Sequence, residues 1–186
     1  MPTGKARPFL TARWIHLAML SYEVDPTILR GLVPSGTELD LWNGRCFASI
    51  VGFQFLDTRV LGIAVPLHRD FEEVNLRFYV NREVDGELRR GVVFIKEIVP
   101  RRMLAWVANA LYNEKYVALP MSHDDRIGST CSLAYGWRHN GGWGRLAVQV
   151  DGESKLPDES SEEAFITCCR VTSCSASFAG STCTWR

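Results

Sequence analysis

The chain has 186 residues, enough for one domain with a sizeable core, and 46% hydrophobic with 23% charged residues is ordinary for a globular fold. Lys+Arg and Asp+Glu balance at 21 each, so net charge gives no electrostatic reason to expect nucleic acid or an anionic membrane surface as partner. No stretch approaches the ~20 apolar residues that span a bilayer, and the apolar run 14–20 is broken by His16 and lacks a cleavage site after it, which points to a cytoplasmic protein whose six cysteines are reduced thiols.

In chain order, residues 1–7 read as a loose leader and 14–24 as a first strand. Asp25-Pro26 supplies an N-cap and a first helical residue, and Gly31 sits where a short helix would end. Asn43-Gly44 joins residues 38–42 to a long apolar strand, 45–55, as a hairpin. Residues 60–69, with Gly62 and Pro66, read as a loop laid against the body.

Residues 71–83 and 87–99 form the most informative hairpin, because Asp85-Gly86 favours a type I′ turn in which both residues have positive φ. Without a bulge, Val84 faces Glu87, Arg77 faces Phe94, Asn75 faces Lys96 and Val74 faces Glu97. Glu73, Asn75, Arg77 and Lys96 then share one face of the sheet. The strands around them are apolar on both faces, so this polar row is expected to line an enclosure, with its charges paired or hydrogen-bonded. The competing interpretation is a wetted outer face.

Pro100 opens a helix to about residue 112, with Leu104, Val107, Ala108 and Leu111 in one buried stripe. Residues 116–119 resume extended chain, and 133–138 pairs with 146–150 around Asn140-Gly141-Gly142. Residues 153–159 read as an acidic linker, after which Ser160 or Ser161 caps a short helix through Phe165, with Glu163 placed for a capping box.

Residues 14–33, 50–59, 71–80 and 91–121 carry a resemblance to the YqjF-like family, whose function is unknown. Its most specific piece is Glu73-x-Asn75-x-Arg77-x-Tyr79 followed by the strand at Gly91, and it extends from about Arg13 to Thr167. That family is similar in fold to the acetoacetate decarboxylase-like superfamily. The resemblance implies an α+β, mainly antiparallel fold: a closed or partly closed β-barrel or cone with a central cavity and one helix inserted near 100–112.

Acetoacetate decarboxylase uses a Schiff-base lysine with a lowered pKa. The matching region here reads Asn113-Glu114-Lys115-Tyr116, which makes Lys115 a candidate, although there is no adjacent lysine and Glu114 opposes activation. Lys96 is the second candidate, among Glu73, Asn75 and Arg77. Glu97, alone on an apolar face, either reaches another strand or lies near the rim. The histidines His16, His68, His123 and His139 show no metal spacing, and His123 with Asp124 and Asp125 reads as an exposed loop. Cys168, Cys169, Cys174 and Cys183 form no C-x-x-C pair, so neither metal nor cofactor is expected.

The reading that follows is a cytoplasmic barrel binding a small anionic or carbonyl-bearing ligand through Glu73, Asn75, Arg77 and Tyr79, with Lys96 or Lys115 as the amine of any decarboxylase-like lyase chemistry. Its rival is a non-catalytic structural or interaction domain whose polar face is a salt-bridge network. The partner is a small molecule, not nucleic acid or membrane, and homo-oligomerisation is left open. Residues 1–167 form the domain, and 168–186 read as an atypical Ser/Thr/Cys-rich tail without strand or helix period, as an altered reading frame would give.

Overall fold

The computed structural model describes residues 10–60, 62–64, 69–101, 116–128, 130–151, 158, 160–167 and 181–185. Eleven strands are found among them: β1 Leu10–Glu23, β2 Glu38–Leu39, β3 Phe47–Val60, β4 Ile63–Ala64, β5 Phe71–Val84, β6 Glu87–Val99, β7 Tyr116–Ala118, β8 Met121–Arg126, β9 Thr130–His139, β10 Gly142–Asp151 and β11 Ser181–Trp185. The short helices are α1 Pro26–Leu29, continued by a 3-10 turn, and α2 Glu162–Thr167. The helix expected over 100–112, with its stripe of Leu104, Val107, Ala108 and Leu111, and the acidic linker at 153–159 lie largely outside the described residues, as does Lys115.

The main sheet runs β11-β1-β3-β5-β6-β7, with β2 added to β5 and β4 to β3, and a second sheet runs β10-β9-β8. All pairs are antiparallel except β6 with β7. A parallel neighbour needs a crossover, and residues 100–115 supply its length. The closed barrel of the expectation meets an open strand path among the described residues.

The three two-residue turns form where Asn-Gly and Asp-Gly stand. Asn43-Gly44, Asp85-Gly86 and Asn140-Gly141 all have positive φ at both positions, as type I′ geometry requires. The first turn does not propagate. Past the single Trp42–Arg45 bridge, residues 38–39 leave to pair with β5, because β3 already spends one edge on β1 and the other on β5. Residues 121–126, expected as a loop around His123, form the charged edge strand β8; charge is a common way of blunting an edge. In the tail, Ser181–Trp185 pairs with the first five residues of β1. An unpaired edge offers backbone donors and acceptors, so a strand can add there without the alternating pattern that its sequence lacks.

The outer face of the main sheet packs against the second sheet through Ala18, Val74, Ile98, Leu133, Tyr135 and Leu146, and against α1 through Leu29, Cys46, Ala48, Phe78 and Val80. Gly52 makes the first contact possible: a Cβ there would stand 2.8 Å from Tyr135 Cγ and nearer still to Cδ2. The inner face carries an aromatic cluster of Trp14, Phe53, Phe55 and Phe71 at one end, and Phe47 and Tyr79 under Phe165 and Ile166 of α2 at the other. Between these two apolar ends lies the polar row.

Candidate functional site

The ladder between β5 and β6 follows the expected register from Val84–Glu87 to Arg77–Phe94 and then slips. Ile95 is the extra residue of a β-bulge, after which Leu76 faces Lys96, Asn75 faces Glu97 and Val74 faces Ile98. The expected Asn75–Lys96 pair is therefore corrected. Lys96 is exposed on the outer face beside Leu76, and Glu97, 3% exposed, takes its place on the inner face.

The alternation of β5 aims Glu73, Asn75, Arg77 and Tyr79 to the inner side, across from Phe53, Val51, Ser49 and, one step on, Phe47 of β3. Glu73, Asn75 and Tyr79 are buried and Arg77 is partly buried. Parallel pairing sets Tyr116 beside Glu97. Its hydroxyl bonds Glu73 Oε2 at 3.1 Å and also Glu97, while Asn75 Nδ2 donates to Glu73 Oε1 at 3.1 Å. Burial first, and then the neighbouring charges of Glu73 and Glu97, push the Tyr116 phenol well above its usual range, so the ring remains a proton donor to the two carboxyl groups.

On the other side of Asn75 the groups are cationic and hydroxylic. Arg77 Nη2 contacts Met19 Sδ at 3.5 Å, its Nε is buried without a hydrogen-bond partner, and among the described residues the guanidinium forms no ion pair. Tyr79 OH, Ser49 Oγ and Ser21 Oγ form a chain of hydroxyls at 2.6 and 2.7 Å, with Ser49 opposite Arg77 in the ladder. The Oδ1 of Asn75 is also buried and unbonded. The inner face thus sets a guanidinium with unused donors next to an amide and a hydroxyl, a few residues from an acidic pair tied to a phenol. A guanidinium with free donors and an amide suit a planar anion or a carbonyl oxygen.

Two features of this arrangement were missed in the sequence. The bulge-free register puts Glu97 on the opposite face, and Tyr116 reads from the sequence only as the start of extended chain; a lone acid in an apolar run is the one signal for Glu97. At the α2 end, Asp40 is 5% exposed and accepts from Asn81 Nδ2 at 3.1 Å and Arg90 Nε at 2.5 Å. Arg90 also donates to the Phe165 carbonyl at 3.1 Å and lies 3.9 Å over the Phe165 ring, which clamps α2 across the sheet.

His16 and His123 stand outside this face. His16 Nδ1 is 3.0 Å from Asp125 Oδ2, and His123 Nδ1 is 3.5 Å from Glu72 Oε2, so His123 sits at the junction of the two sheets. Among the described residues no group of three or more His, Cys, Asp or Glu side chains is arranged to hold a metal ion, and Cys46 and Cys131 are free. Nor is any described helix long and apolar enough to cross a membrane.

Residues 11–172 match the model of DUF2071, a family described as an uncharacterized conserved protein. Over 112 residues the chain is 30% identical to the uncharacterized protein YqjF of Bacillus subtilis (strain 168), covering 60% of this chain and 45% of that one. The chain thus spans less than half the length of the curated relative it matches. An acetoacetate decarboxylase-like enzyme from Sphingomonas wittichii RW1 has a similar fold, with a TM-score of 0.59 at 16% identity over 83% of this chain and 64% of that one. The enduracididine biosynthesis enzyme MppR complexed with pyruvate aligns with a TM-score of 0.58 at 15% identity, over 84% and 62% of the two chains. At these identities the likeness is one of fold.

Proposed function

For this chain, which belongs to the DUF2071 family and has an acetoacetate decarboxylase-like fold, we propose that the inner face binds a small organic acid or carbonyl compound. Arg77 takes the anionic group, Asn75 and the Tyr79–Ser49–Ser21 hydroxyls take further oxygens, and Glu73 with Glu97 and Tyr116 forms the acidic side of the site. The observation that carries this reading is Arg77, partly buried and, among the described residues, with no ion pair and with an unbonded Nε. Leaving a buried donor unbonded is costly, and a ligand oxygen would relieve that cost. The pyruvate complex of a protein with a similar fold supports the ligand class.

If chemistry accompanies binding, decarboxylase-like lyase chemistry fits, with a Schiff base between a lysine and the ligand carbonyl. Lys96, on the outer face, is not placed for that role, which leaves Lys115, one residue before Tyr116, as the amine. The core of the domain extends to Thr167, with residues 181–185 returning to its main sheet as an edge strand, and the protein acts in the cytoplasm.

Thermal-shift titration with pyruvate and longer 2-oxo acids tests the binding step, because a ligand of the native state raises its stability by mass action. Wild type should gain several degrees and Arg77→Gln none. Borohydride reduction in the presence of the binding acid should then label Lys115, and the label should vanish in Lys115→Ala. A flat thermal response across the series would leave the buried polar cluster as the network of a non-catalytic structural domain.

A further inference from the structure

The outer face of the main sheet is only partly covered. Between α1 on one side and β10 on the other, residues of β1, β3, β5 and β6 floor a groove of about 470 Å³, within the size range of small-molecule sites. Its floor and walls include Leu20, Ile28, Ile50, Leu76 and Ile95, and among the described residues Arg145 is the one charged residue that lines it. Leu20 is 37% exposed, Leu76 38% and Ile28 68%, so a contiguous apolar surface is left open to solvent. Such patches mark binding sites on otherwise ordinary surfaces.

The bulge in β6 shapes this groove. By placing Ile95 and Lys96 on the outer face together, it sets an apolar side chain into the groove and an exposed cation next to Leu76. Neither Lys96 nor Arg145 forms an ion pair or hydrogen bond among the described residues. An apolar trough lined by Arg145, with the exposed Lys96 across the ladder from Leu76, is complementary in shape to a hydrocarbon chain and in charge to an anionic head. A peptide strand is a poorer fit, because the floor is the mid-face of a sheet whose backbone groups are already paired in the ladders.

We propose that this groove binds a medium-chain alkyl carboxylate, with the hydrocarbon over Leu20, Ile50, Leu76 and Ile95 and the carboxylate toward Arg145 and Lys96. The site is separate from the inner face, on the opposite side of the sheet. Saturation of one site therefore leaves the other open.

Calorimetric titration of the full chain with hexanoate, octanoate and decanoate below their micellar range tests this. One equivalent should bind, tightening about three- to fourfold per added methylene, and 1-decanol should bind several-fold more weakly than decanoate. Arg145→Gln should weaken decanoate about three- to tenfold. Leu76→Glu and, independently, Ile28→Glu should abolish binding while the far-ultraviolet spectrum stays native; both positions are solvent-exposed. Arg77→Gln, on the inner face, should leave decanoate affinity unchanged. Absence of binding, indifference to both Leu76→Glu and Ile28→Glu, decanol binding as tightly as decanoate, or loss of decanoate binding in Arg77→Gln would each overturn the proposal.

Discussion

The Tyr116 hydroxyl lies 3.1 Å from Glu73 Oε2, joining a strand that enters the sheet in parallel to one placed two positions away in the strand order. The same hydroxyl reaches Glu97 on the strand between them. One phenol therefore ties together three neighbouring strands at the centre of the polar face.

Tyr116→Phe should remove about 1 to 3 kcal/mol of stability, since it leaves buried carboxyl oxygens without a donor. Urea denaturation at pH 7 measures the loss.

The pH dependence of stability provides a second readout of Tyr116. Its folded-state pKa is raised, so the protonated phenol is favoured by folding, and that contribution is fully present below the unfolded value of about 10. As pH rises past about 10 the unfolded chain ionises first and stability falls. Tyr135, raised chiefly by burial, acts in the same direction. Urea midpoints measured from pH 8.5 to 11.5 should fall less steeply in Tyr116→Phe than in wild type, and parallel slopes would contradict the assignment.

Lys96→Ala and Glu97→Ala should differ sharply even though the residues are adjacent. Lys96 is exposed, so its removal should change stability by less than about 0.5 kcal/mol. Glu97, 3% exposed and bonded to Tyr116, should cost about 1 to 3 kcal/mol. Reversal of that order in chemical denaturation would restore the bulge-free register.

Gly52→Ala should cost about 1 to 3 kcal/mol, because the new methyl group meets the Tyr135 ring. A double-mutant cycle with Tyr135→Ala tests the cause: in the Tyr135→Ala background the Gly52 substitution should become nearly neutral.

Arg90→Ala should destabilise by about 3 kcal/mol, since Asp40 would keep a buried carboxylate with only Asn81 to bond it. Arg90→Lys should recover little, because an ammonium cannot bond Asp40, bond the Phe165 carbonyl and cover the Phe165 ring together. Thermal melts of the two variants decide this.

The turns were readable because Asn43-Gly44, Asp85-Gly86 and Asn140-Gly141 state their φ requirements in two letters. The β5–β6 register was readable only as far as Phe94. Residues 92–95 are apolar without interruption, so sliding the ladder by one changes little in what is buried, and no local feature announces an extra residue. The β6–β7 neighbourhood that brings Tyr116 to Glu73 depends on a crossover, and crossovers leave no period in a sequence. Conversely, Arg77 and Tyr79 were readable as inward-facing from alternation alone, because no bulge interrupts β5 against β3.

The bulge at Ile95 also makes strand register a determinant of interior charge. With the extra residue present, an acid faces Asn75 and a base faces solvent. Deleting Ile95 would remove the bulge and leave every pair in place, Phe94 with Arg77, Lys96 with Leu76 and Glu97 with Asn75. A relative that keeps a residue at this position but pairs it with the Leu76 position, without a bulge, would present a lysine to Asn75 in place of the glutamate. Two chains alike at every aligned position of this strand could thus enclose ligands of opposite charge, which makes the presence of the bulge between Phe94 and Lys96 a character to compare across the family before any single side chain.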